Sequence, residues 1–157
     1  DDRDDISIGQ KRNEMLQRCS GDYVAMIDDD DQITDDYFEQ IKKGIDLVVD
    51  AVCIKREFYV DGQKKLTIAH GLKNPYSENC KKALAGHFCP VKLELAKKAG
   101  YGDFGRNEDS NHIERISEYI KTAYYIKDSI YIQNFENKLK EYDRHKIADE
   151  LTPKPKV

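Results

Sequence analysis

The run Tyr23-Val24-Ala25-Met26-Ile27, stopped by the four consecutive aspartates Asp28 to Asp31, limits the folds open to this chain more than any other stretch. Five apolar residues without alternation, entered through the turn signal Ser20-Gly21-Asp22, predict a short strand buried on both faces. Such strands belong to sheets covered by helices, and open α/β sheets place their ligands at the carboxyl ends of the strands. The aspartates fall at that end. Two carboxylates ~5 Å apart repel by roughly 3 kcal/mol at an effective dielectric near ~20, so four in a row call for solvent or a bridging cation. A hard divalent ion held by carboxylate oxygens relieves the repulsion and can also hold a diphosphate. A solvated acidic turn is the plain alternative.

The remaining elements follow from periodicity and punctuation. Gln10 to Arg18 reads as a helix with Met15 and Leu16 turned inward, and Asp36 to Lys43 as a second helix. Thr34 or Asp35 caps the second, Tyr37, Phe38 and Ile41 form its apolar side, and Gly44 ends it. Asp46 to Val60 and Lys64 to Ala69 flank Asp61-Gly62, a hairpin signature. Ala83 to Cys89 reads as a strand, Pro90 to Lys98 as a helix closed by Gly100, and 100–107 as a glycine-bearing surface loop. Ser110 to Lys121 places Ile113, Ile116 and Ile120 on one helical stripe, before two short strands at Ala123 to Ile126 and Ser129 to Phe135.

Length and charge narrow the partners. The chain has 157 residues, enough for one ordinary domain, and no linker or repeat divides it. No apolar run reaches the ~20 residues of a membrane span, and the acidic start is unlike a signal peptide, so the expected location is cytoplasmic. A net charge of -4 with scattered Lys and Arg argues against nucleic acid as a partner. Cys19, Cys53, Cys80 and Cys89 lack the spacing of zinc sites or disulfide scaffolds and read as reduced thiols.

An EF-hand loop competes for the aspartates, since Asp28, Asp30, Asp36 and Glu39 match four of its ligand positions. Ile33 stands where that loop needs Gly, Gln32 where it needs a ligand, and a strand rather than a helix precedes it. A larger pattern fits better. Ser7-Ile8-Gly9-Gln10-Lys11-Arg12-Asn13, then Gly21-Asp22-Tyr23-Val24, then Ile27-Asp28-Asp29-Asp30-Asp31 resembles family 2 glycosyltransferases, in which a Gly-x-x-x-Arg-Asn helix, a Gly-Asp-Tyr turn and an Asp-x-Asp motif occur in this order. Gly86-His87-Phe88-Cys89-Pro90 is similar to the family's acceptor-side segment, and Glu108-Asp109 to its Glu-Asp pair opening a later helix.

The resemblance implies an α/β fold of GT-A type, a Rossmann-like open mixed sheet with helices on both faces. It implies a glycosyltransferase domain over 1–150 that is N-terminally truncated, its nucleotide-binding first strand and helix preceding Asp1, with 151–157 as a flexible tail. It further implies metal-dependent transfer of a sugar, with inversion, from a nucleoside diphosphate donor, first of all a UDP-sugar, to a saccharide or other hydroxyl acceptor. Carried over by position, Asp28, Asp29 and Arg12 contact the donor, and Asp30 is the direct ligand of Mn²⁺ or Mg²⁺. Asp31 is a neighbour or second ligand, and His87 a further candidate for the metal shell. Asp109 is the general base and Glu108 binds acceptor or braces the loop. From spacing alone Arg12 is a surface helix residue and Asp109 an N-cap. No Trp is present to stack on sugar, so Tyr101 and Phe104 are the available aromatics. A sugar nucleotidyltransferase and a non-catalytic metal- or carbohydrate-binding remnant of the fold are the alternatives.

Overall fold

The computed structural model describes residues 5–71, 73–103 and 107–135, so the expected tail at 151–157, Phe104 and His145 lie outside the described residues. Ser7 opens helix α1 (Ile8–Arg18) with a capping box: its Oγ accepts from the Gln10 N–H at 3.1 Å, and Gln10 Oε1 accepts from the Ser7 N–H at 3.2 Å. Leu16 is buried under α1, but Met15 is exposed. Neighbours on a helix point about 100° apart, and only one of this pair faces the core.

The chain then forms β1 (Tyr23–Val24), shorter than the expected strand. Its residues are half-buried and Ile27 is exposed, because among the described residues β1 pairs only with β6 (Val91–Lys92), antiparallel. The aspartates turn the chain into β2 (Asp31–Ile33). Helix α2 (Tyr37–Ile45) starts at Asp36 without a side-chain cap, since the Thr34 hydroxyl donates to the Asp36 carboxylate instead. Tyr37 is buried while Phe38 points to solvent. Gly44 lies inside α2 rather than ending it. A Cβ there would come within 2.7 Å of Val52 Cγ2, so the glycine lets the helix settle on the sheet.

Strand β3 (Ala51–Val60) is the centre of the sheet and starts later than expected, after an exposed turn at Leu47 and Val48. Asp61 and Gly62, both at positive φ, join it to β4 (Gln63–His70) in the hairpin that the sequence specifies. Strand β5 (Lys81–Ala83) runs parallel to β4, and residues 84–90 are irregular rather than a continued strand. Pro90 does not start a helix, because Val91 and Lys92 are taken up by β6; α3 (Leu93–Ala99) follows and ends at Gly100 with φ 59°.

Helix α4 (Glu108–Ser117) begins two residues earlier than expected, from Asn107 in the left-handed region without a side-chain cap. Asp109 is therefore inside the first turn and is not the N-cap. The two expected C-terminal strands are one, β7 (Ala123–Phe135), parallel to β3 along its length with register shifts around Lys55 that absorb residues 126–128. β2 pairs antiparallel with its far end. The result is the expected mixed, open α/β sheet with helices, its core formed by Leu16, Val52, Ile54, Phe88, Ile116, Ile130 and Tyr131. All four cysteines are free. Among the described residues no helix is long and apolar enough to cross a membrane.

Candidate active site

The aspartate run folds as a turn in which the Asp31 N–H donates to the Asp28 carbonyl at 3.2 Å, leaving Asp29 and Asp30 exposed at its tip. Among the described residues neither of those two carboxylates makes a hydrogen bond or ion pair. Behind the turn, Met26 N–H donates to the His87 carbonyl at 2.9 Å, which brings residues 85–90 beneath it. Gly86 is required there, since a Cβ would lie 2.5 Å from the Phe88 ring.

Arg12, on α1, draws the parts together. Its Nη2 donates to Asp28 Oδ1 at 3.2 Å, and its Nη1 lies 3.2 Å from Glu108 Oε1 as a charge contact without hydrogen-bond alignment. Its Cζ stands 5.5 Å from the Tyr101 ring centroid. A guanidinium only 15% exposed is thus shared by two carboxylates, which is not the surface helix Arg of the spacing argument. The next residue, Asn13, is hydrogen-bonded to the backbone of Tyr101, and His112 Nδ1 meets the Gly100 carbonyl at 2.8 Å while stacking on the Tyr101 ring. Together these contacts hold Tyr101 between α1 and α4. Glu108 is buried toward Arg12, whereas Asp109 lines a cleft on the other side.

His87 Nε2 is 3.5 Å from Asp28 Oδ2, a charge pairing when the imidazole is protonated rather than a well-aligned hydrogen bond. That contact is the main influence holding the Asp28 pKa below the ordinary carboxylate value, against burial and with help from Arg12 and Arg56. Asp31 behaves oppositely. Burial raises its pKa, opposed by hydrogen bonds into Oδ2 from the Tyr131 hydroxyl at 2.6 Å and Gln133 Nε2 at 2.8 Å. Asp31 is therefore fastened to β7, while Asp28 and Asp30 border the open side. Among the described residues no three His, Cys, Asp or Glu side chains converge as a metal cage. A hard cation held by one or two carboxylates and completed by water and substrate phosphate does not need one, and the oxygen donors of the turn fit that kind of site.

The cleft beside Asp109 has a volume of about 430 Å³. Its floor is one sheet face, because Arg56 and Phe58 alternate along β3, Gln133 and Phe135 along β7, and His70 continues the same face of β4 from Ile68. Arg56 donates to Gln133 Oε1 at 2.7 Å and lies over the rings of Phe58 and Phe88, 4.2 and 4.9 Å from their centroids. Sequence reasoning assigned nothing to Arg56, His70 or Gln133. The available signal was a charged residue on the apolar face of a strand, between Ile54 and Phe58.

An open α/β sheet with a polar cleft beside an acidic turn is an arrangement that places a ligand site at the sheet's edge. The chain matches glycosyl transferase family 2 over residues 7–97 and belongs to that family, whose activity is glycosyl transfer. No curated protein matches the chain significantly. The matched span includes Arg12, the aspartate turn and His87 but ends before Glu108-Asp109, so that pair rests on its geometry and on the resemblance of its motif.

Proposed function

We propose that the chain transfers a sugar, with inversion, from a nucleoside diphosphate donor to a hydroxyl acceptor, with a divalent cation at the aspartate turn. The observation that carries this reading is the guanidinium of Arg12, which joins Asp28 of the turn to Glu108 of α4 and so sets the neighbouring Asp109 in the cleft beside the aspartates. Asp30, exposed at the tip, and Asp28 would hold Mn²⁺ or Mg²⁺, with His87 beside Asp28. The bound ion supplies charge stabilisation to the departing diphosphate. Asp28 and Arg12 orient the donor side, Glu108 keeps Arg12 in place, and Asp109 takes the proton from the acceptor hydroxyl as it attacks.

Calorimetry with Mn²⁺ and UDP, followed by metal-dependent release of UDP from UDP-sugars, tests the reading. Each of Mn²⁺ and UDP is expected to tighten the binding of the other. Independent binding of the two, or release of UDP unaffected by chelator, would count against it.

A further inference from the structure

We propose that the floor of the cleft is an acceptor subsite for a neutral sugar, in which His70 Nε2 accepts a hydrogen bond from one of the sugar's hydroxyls and so selects the acceptor. This inference rests on the glycosyl-transfer reading above. His70 Nδ1 lies 2.7 Å from the Leu84 carbonyl oxygen. A carbonyl only accepts, so Nδ1 carries the hydrogen, and the neutral ring has a bare lone pair on Nε2. Burial and the nearby charge of Arg56 keep the ring neutral, with its pKa held down to about 3.

The side chain thus presents an acceptor and no donor to its surroundings, and Nε2 has no hydrogen-bond partner among the described residues. His70 is 3% exposed and its ring lines the cleft, so a group seated against that floor is placed to supply the missing donor. An orphan acceptor at this depth is unfavourable for folding and calls for a functional account.

The chemistry of that partner is restricted. An ionised carboxylate or a fully ionised phosphate has no hydrogen to donate to Nε2, and an ammonium group meets the charge of Arg56. A hydroxyl does neither. The rings of Phe58 and Phe135, stacked nearly parallel with centroids 5.9 Å apart, line the same cleft and offer an apolar wall to the C–H face of a pyranose. Asp109 lines it too, so one acceptor can place one hydroxyl before the base and another against His70.

The experiment uses the full chain labelled with ¹⁵N-histidine, with diamagnetic Mg²⁺ and UDP present, and titrates methyl β-D-glucopyranoside, methyl β-D-galactopyranoside and methyl α-D-mannopyranoside. Long-range ¹H–¹⁵N spectra of the free protein should show His70 protonated on Nδ1 alone from about pH 5 to 8. At least one glycoside should move the Nε2 resonance saturably toward its hydrogen-bonded position.

His70→Asn keeps a donor for the Leu84 carbonyl but has nothing at the Nε2 position, and should weaken that glycoside roughly tenfold. His70→Gln, whose amide oxygen reaches that position, should stay within about threefold. No response to any of the three glycosides while Mg²⁺ and UDP bind overturns the subsite and leaves the transferase reading standing. Equal glycoside affinity in a folded His70→Asn variant overturns it as well. Should that variant not fold, the wild-type titration decides alone. Failure of UDP to bind with either Mg²⁺ or Mn²⁺ in calorimetry removes the transferase reading, and this inference falls with it.

Discussion

Asn13 grips the backbone of Tyr101 with both ends of its amide: Nδ2 donates to the Tyr101 carbonyl at 2.9 Å and Oδ1 accepts from the Tyr101 N–H at 2.7 Å. Helix α1 is thereby tied to Tyr101, whose ring stacks on His112 of the helix that carries Glu108 and Asp109. The preceding residue, Arg12, reaches the same region by charge. Two adjacent side chains of one helix therefore set the second half of the site relative to the first, one through the backbone and one through a carboxylate.

Asn13→Ala should destabilise the fold by about 1–3 kcal/mol, the usual cost of leaving half-buried backbone groups without partners. Asn13→Asp retains the acceptor but turns a second oxygen toward the Tyr101 carbonyl, so it should recover little of that loss. Denaturant unfolding of both variants measures this. Wild-type stability in Asn13→Ala would show that water replaces the amide without cost.

Asp31 and Asp30 are neighbours in the acidic run with different surroundings. The pKa of Asp31 is raised in the folded state, so the folded protein binds this proton more readily than the unfolded chain does, and the ionised group is a burden at neutral pH. Asp31→Asn keeps an oxygen for the Tyr131 hydroxyl and should melt at or above the wild-type temperature at pH ~7, with any advantage shrinking as pH falls toward the carboxylate range. Its Mn²⁺-assisted UDP binding should stay within about threefold of wild type, whereas Asp30→Ala should lose tenfold or more. Calorimetry on the two variants separates the roles. Equal losses in both would make Asp31 a ligand as well.

Local chemistry explains what the sequence made legible. The Asp61-Gly62 hairpin depends on adjacent residues and forms where expected. The capping box at Ser7 and Gln10 is as local, and it starts α1 at Ile8, two residues ahead of the expected Gln10. Features set by distant pairing were hidden. Gly44 reads as a helix stop until Val52 and Tyr124 are known to press on it. Lys127 and Asp128 look like a break between strands until the shifted register against β3 absorbs them. Arg56 and His70 have no local motif, and the cleft floor exists only once β3 lies between β4 and β7. Phe38 was misjudged because apolar periodicity cannot say which of two adjacent aromatics, Tyr37 or Phe38, the sheet will cover.

Asp50 gives a pH-dependent test of the frame rather than of the site. Burial works to raise its pKa, but hydrogen bonds from Lys92 Nζ and from the Lys121 and Thr122 N–H groups, each 2.9 Å, outweigh it and bring the value to about 2. A carboxylate with a depressed folded pKa stabilises the fold above its unfolded value near ~4 and loses that contribution as pH falls through its folded value. Asp50→Asn should therefore cost on the order of 2 kcal/mol at neutral pH, with the gap from wild type closing between about pH 4 and 2. A gap that does not change over this range would mean that the variant's loss comes from packing and not from charge.

Asp109 and Glu108 provide the most demanding test, because adjacent carboxylates on one helix turn face different surroundings. Glu108 is 7% exposed and turned to Arg12, while Asp109 lines the cleft with Oδ1 accepting from the Ser110 N–H at 2.7 Å. Asp109→Asn keeps the size and the oxygen for Ser110, so folding and Mn²⁺-assisted UDP binding should change little, while turnover falls by about 10² to 10⁴, the range for loss of a general base. Glu108→Gln removes the charge opposite Arg12 and should disturb donor binding and stability along with turnover, since it leaves the guanidinium short of one buried counter-charge. The two variants are thus separated by the pattern of their losses more than by the size. A larger fall in turnover at Glu108 with donor binding intact would move the base to that residue, and near-normal transfer in both would remove the pair from the mechanism.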